Sequence, residues 1–90
     1  MKTLEQIITT FNNWSQPWTF QEYIITNPEL DDEKKSIFNE IWTKAGSDDI
    51  WKFSDLILGC KASQNFIRNH YELKEDAIAN IVRALSYQWE

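Results

Sequence analysis

The chain has 90 residues, 42% of them hydrophobic, with a net charge of −5, two glycines, two prolines and one cysteine. That length holds one domain, 1–90, with a single core and little room for a deep cavity, and the low Gly and Pro content excludes both a disordered chain and a turn-rich β-sandwich. The lone Cys60 excludes an internal disulfide and points to a reducing compartment, and the acidic balance disfavours direct binding to a nucleic-acid backbone.

In chain order, Thr3 to Phe11 reads as a first helix, with Thr3 and Gln6 spaced as a capping box and Leu4, Ile7, Ile8 and Phe11 on one face. Asn12 and Asn13 break it. A second start follows, with Thr19 as cap, Glu22 three residues on and Trp18 placed to staple against Tyr23. Only a short helix over about Phe20 to Thr26 fits before Pro28.

The segment from Asn27 to Gly46 is the best-punctuated helix. Asn27 fits the cap, Pro28 the first helical position and Gly46 the position just past the end. Its apolar stripe is Leu30, Ile37, Phe38, Ile41, Trp42 and Ala45, and the rest of the chain is sized to pack against it. Ser47 then caps a fourth helix with Ile50, Phe53, Ile57 and Cys60 on one face, Trp51 and Leu58 off it, and Gly59 at its end. A fifth runs from about Ala62 to His70, continuous with the fourth or separated by a kink. The last spans Glu75 to Trp89 with Ala77, Ile78, Ile81, Val82, Leu85 and Trp89 as its stripe, although Lys74 is a poor cap. No segment alternates like a strand, so the expected fold is all-α, a five- or six-helix antiparallel bundle-like domain.

No catalytic motif appears. One Cys and one His cannot supply a zinc site, and a Cys60–His70 nucleophile pair is outweighed by a structural Cys60, so neither enzyme activity nor a cofactor or metal is expected. No apolar run approaches a membrane span and no leader is recognisable, which predicts a cytoplasmic protein with no membrane partner.

Charge placement is more informative than its total. Residues 1–50 hold nine acids and four bases, whereas residues 51–90 hold five of each. Between Lys2 and Lys34 there is no base, yet Glu5, Glu22, Glu29, Asp31, Asp32 and Glu33 all fall there. Acids at helix starts complement the macrodipole, which accounts for Asp48 with Asp49 and Glu75 with Asp76. The cluster Glu29, Asp31, Asp32 and Glu33, extended by Glu22, is the candidate acidic recognition face. By up-down packing it lies at the opposite end of the bundle from Asp48 and Asp49. Trp14 and Trp18, in a polar connection between short helices, are its candidate aromatic anchors, while Phe11, Trp42 and Trp89 read as core. Such a face calls for a basic protein partner rather than nucleic acid.

The run EDAIANIVRALSYQW, Glu75 to Trp89, resembles the closing helix of small immunity proteins encoded beside bacterial contact-dependent growth inhibition toxins and related polymorphic toxins. The resemblance implies a helical, acidic, monomeric inhibitor of a cognate toxin domain, commonly a nuclease. The chain departs from the immunity proteins of DNase colicins, which carry adjacent tyrosines in a central loop. Here Tyr23, Tyr71 and Tyr87 are isolated, so no binding residue is carried over. Two other readings use the same features: a phage-encoded anti-CRISPR or anti-restriction inhibitor whose acidic surface imitates nucleic acid, and a small regulatory or adaptor domain that self-associates through exposed aromatics.

Overall fold

A computed structural model describes residues 3–51 and 56–88. Its helices are α1 (Leu4–Thr10), α2 (Phe20–Ile25), α3 (Asp32–Ala45), α4 (Asp48–Trp51), α5 (Leu56–His70) and α6 (Glu75–Gln88), with a 3-10 turn, Pro17–Thr19, leading into α2. No strand occurs among the described residues, and the fold is all-α. Phe53 and Trp89, expected in the core, lie outside the described residues.

The start of α1 follows its sequence signal. Thr3 Oγ1 accepts the Gln6 N–H at 3.2 Å and Gln6 Oε1 accepts the Thr3 N–H at 2.8 Å, a reciprocal capping box. The next two starts differ from expectation. Thr19 does not cap α2, because its hydroxyl donates to the Gln16 carbonyl at 2.7 Å and its backbone is already helical. Trp18 does not staple to Tyr23 but points away into solvent.

At α3 the cap is Asp31 rather than Asn27. Asn27 Oδ1 accepts the Glu29 N–H at 2.9 Å and its carbonyl accepts the Leu30 N–H, which closes a separate turn around Pro28. Asp31 Oδ1 then accepts the Lys34 N–H at 2.8 Å. Leu30, Phe38, Ile41 and Ala45 are buried as the stripe predicts, Trp42 is half-buried and Ile37 is exposed.

α6 is the hub. It buries Ala77, Ile78, Ile81, Val82, Ala84 and Leu85 and packs against α1, α3, α5 and the 3-10 turn, so the molecule is organised around this helix as much as around α3. Fully buried Ile7, Ile8, Phe20, Ile24, Phe38, Ile41, Ile67, Ile78, Ile81 and Leu85 make one continuous core. Each such side chain contributes roughly 1.5–3 kcal/mol relative to exposure.

Both glycines serve close approach. Gly46 follows α3 at φ −99°, outside the left-handed region, and a Cβ there would stand 2.7 Å from Leu85 Cδ2. Gly59 does not end a helix; it lies inside α5. A Cβ at Gly59 would stand 2.5 Å from Trp51 Cε3, because the Trp51 ring lies flush against this point of the helix. Trp51, off the expected apolar face, is therefore only 4% exposed. Its indole N–H donates to the Ala45 carbonyl at 2.7 Å, and buried Ser63 donates to the same oxygen at 3.0 Å. Ala45 is the last residue of α3, whose carbonyl has no intrahelical partner. Ser47 opens α4 through its own carbonyl, which accepts the N–H groups of Ile50 and Trp51.

Candidate functional site

The candidate anchors separate into two environments. Trp14 is half-buried: its ring meets Phe11 edge-on at 4.9 Å, stacks on Phe20 at 5.9 Å, and carries the Arg83 guanidinium 4.2 Å from its centre. These contacts tie the connection between α1 and α2 to α6, so Trp14 belongs largely to the fold. Trp18, on the 3-10 turn, is 74% exposed. Pro17 presets the turn, since its fixed φ suits a first helical position and its missing N–H costs nothing there. Trp18 lines one wall of an open groove of about 450 Å³ shared with Pro17, Gln21, Trp42, Ala84 and Tyr87. No charged side chain lines that groove among the described residues. Trp42 and Tyr87 are recognition candidates that the sequence did not single out. Helical spacing assigned Trp42 to the core stripe, and nothing local shows that α3 and α6 present these rings side by side.

Glu22 is exposed and lines a second, shallower groove of about 300 Å³ with Thr10, Asn12, Asn13 and Tyr23. Much of its polarity is already satisfied. Thr10 Oγ1 donates to the Ile7 carbonyl at 2.7 Å and lies 2.8 Å from the Tyr23 hydroxyl, while Thr26 Oγ1 donates to the Glu22 carbonyl at 2.6 Å.

Glu29, Asp31, Asp32 and Glu33 are all exposed at the start of α3. Asp31 is committed to capping. The Lys34 N–H, reinforced by the Lys34 ammonium at 3.4 Å, holds its carboxyl below the usual aspartate range. Asp32 and Glu33 face solvent in the first helical turn. Asp48 and Asp49 stand beyond the far end of α3, about 20 Å away by the helical rise. Trp42 and Asp32 are ten residues apart on α3, so the aromatic groove and the acidic cluster are separated by about 15 Å along the helix. The candidate residues are thus spread over the α1–α2 connection, the 3-10 turn, α2, α3 and α6 rather than gathered in a single pocket.

Cys60 and His70 do not meet. Both lie on α5, ten residues or about 15 Å apart along its axis. Partial burial pushes the Cys60 thiol up, away from the reactive thiolate, and the His70 ring packs on Phe66 at 4.5 Å. Among the described residues no three His, Cys, Asp or Glu side chains converge to hold a metal, and no helix is long and apolar enough to cross a membrane. Comparison with protein-family models, with curated proteins and with solved structures finds no match for this chain.

Proposed function

We propose that this chain is an immunity protein, a stoichiometric inhibitor that binds a cognate bacterial toxin domain of the contact-dependent growth inhibition kind and covers its basic, nuclease-type active-site surface. One observation carries the reading: Trp18 stands 74% exposed beside Trp42 and Tyr87. Water-exposed indole next to further aromatics is costly to leave uncovered, and Trp and Tyr are the residues on which binding energy concentrates. The acids at the start of α3, about 15 Å along the same helix, supply the complementary field that speeds encounter with a basic partner and fixes its orientation. Inhibition of this kind requires only that the toxin's substrate groove be covered in the cytoplasm of the protected cell.

The test is capture of the partner from the source cells with tagged protein, followed by titration of the recovered toxin's activity. Activity abolished at one equivalent supports the proposal. So does loss of capture on Trp18→Ala or on joint Glu29, Asp32 and Glu33→Lys reversal, with helicity retained. Asp31 is left unchanged because it caps α3. A recovered partner that both variants bind as tightly as the parent, or whose activity survives excess protein, overturns it.

A further inference from the structure

On another face, a groove of about 410 Å³ runs between α5 and α6. It is lined by Ile57, Cys60, Lys61 and Gln64 from one helix and by Val82, Arg83 and their neighbours from the other. The lining residues fall at i, i+3, i+4 and i+7 on each helix, so the groove follows both axes for two turns, about 10 Å. Its walls are apolar, with Ile57 at 67% exposure and the adjacent Leu58 at 53%. Small Cys60 and Ala79 within it allow close approach of another backbone.

The charge of this groove opposes that of the chain. In a protein of net −5, the charged side chains lining it among the described residues are Lys61 and Arg83. Among the described residues the ion pairs are Lys34–Asp31, Lys44–Glu40 and Arg68–Glu75, and none uses Lys61 or Arg83. Arg83 is already ordered by its contact with the Trp14 ring at 4.2 Å, so little side-chain entropy remains to be lost when it meets a carboxylate. An open apolar channel between two helices is shaped for a third helix rather than for an enclosed small molecule.

We infer that the α5–α6 groove docks an acidic amphipathic helix of a partner protein, with leucine-like side chains against Ile57 and Val82 and carboxylates on Lys61 and Arg83. This site shares α6 with the proposed inhibitory face but is lined by different residues of that helix, and it takes the opposite charge.

The probe is a fluorescent peptide of about 18 residues, long enough to hold some helix in water, with leucines at i, i+3, i+4 and i+7 and glutamates elsewhere. A second peptide carries lysine for every glutamate. Anisotropy titrations should show binding of the glutamate peptide that weakens with added salt, and little binding of the lysine peptide. Lys61→Glu and Arg83→Glu should each reduce affinity about tenfold, the scale of a desolvated charge pair, whereas Lys61→Arg should retain it. Lys61 is exposed and joins no ion pair among the described residues, so Lys61→Glu keeps the test readable if Arg83→Glu loosens the Trp14 contact. Equal binding of both peptides, no binding of the glutamate peptide, or indifference to both reversals overturns the inference. So does a sedimentation profile in which the chain dimerises through this face and Lys61→Glu dissolves the dimer, because the occupant is then a second copy.

Discussion

Trp51 and Trp18 are the same side chain in opposite surroundings. Trp51 is 4% exposed, lies against a helix that has a glycine where the ring sits, and satisfies the terminal carbonyl of α3. Trp18 is 74% exposed on a turn preset by proline, with two further aromatics beside it. One indole joins α3, α4 and α5, and the other leaves its area uncovered. The contrast shows that the aromatic side chains of this small chain fall into two environments, which only three-dimensional placement separates.

Substitutions can break that contrast. Trp51→Ala should be the most damaging, destabilising the fold by about 3–5 kcal/mol as for other large buried truncations. Gly59→Ala, which adds one methyl on the opposing surface, should cost about 1–3 kcal/mol through overpacking against the same ring. Urea denaturation of both variants gives these values, and a neutral Gly59→Ala would show that the ring shifts without cost. Asp31→Ala comes next, with a smaller fall in the urea midpoint from the lost α3 cap.

The pH dependence follows from three carboxyls. Hydrogen bonding to the Lys34 N–H lowers Asp31 from its ordinary 3.8, the Tyr71 hydroxyl and then Lys44 lower Glu40 from 4.5, and Arg68 lowers Glu75 from 4.5. A carboxyl lowered in the folded state adds stability above its unfolded value and loses it as pH falls through the folded one. Stability should therefore be level down to about pH 5 and decline below it, and each contribution is small because all three groups are exposed. Asp31→Ala should flatten part of that decline, which thermal melts between pH 3 and 6 would read. Smallest in stability is Trp18→Ala, within about 0.5 kcal/mol, while a partner that docks there should lose about 2 kcal/mol or more of binding, the size of a hot spot.

Features that depend on a few neighbouring residues were legible in the sequence. The Thr3 and Gln6 exchange is written within four residues, and the α6 stripe from Ala77 to Leu85 repeats often enough to fix both the helix and its buried face. Where two local signals compete, local pattern does not decide between them: Asn27 and Asp31 are both good caps with a proline between them, and the turn at Asn27 takes the first signal while the helix takes the second. Gly59 looks like a terminator because glycine commonly ends helices, whereas its purpose is set by a ring eight residues earlier on another helix. The aromatic groove was the least legible of all. It needs Trp18, Trp42 and Tyr87 from three separate elements, and their company is decided by how α3 and the 3-10 turn each pack on α6.

The two ties between α1 and α6 bear on how the molecule is made. Asn80 Nδ2 donates to the Ile8 carbonyl across 72 residues, and Glu5 accepts the Lys74 N–H across 69. During synthesis α1 emerges well before the surface that receives it, and at 5–20 residues per second that interval is roughly 4 to 14 s. Leu4, Ile7 and Ile8 wait that long for α6 to cover them, so this apolar segment depends on a surface made about seventy residues later, and it is the point at which a chaperone or premature association would act.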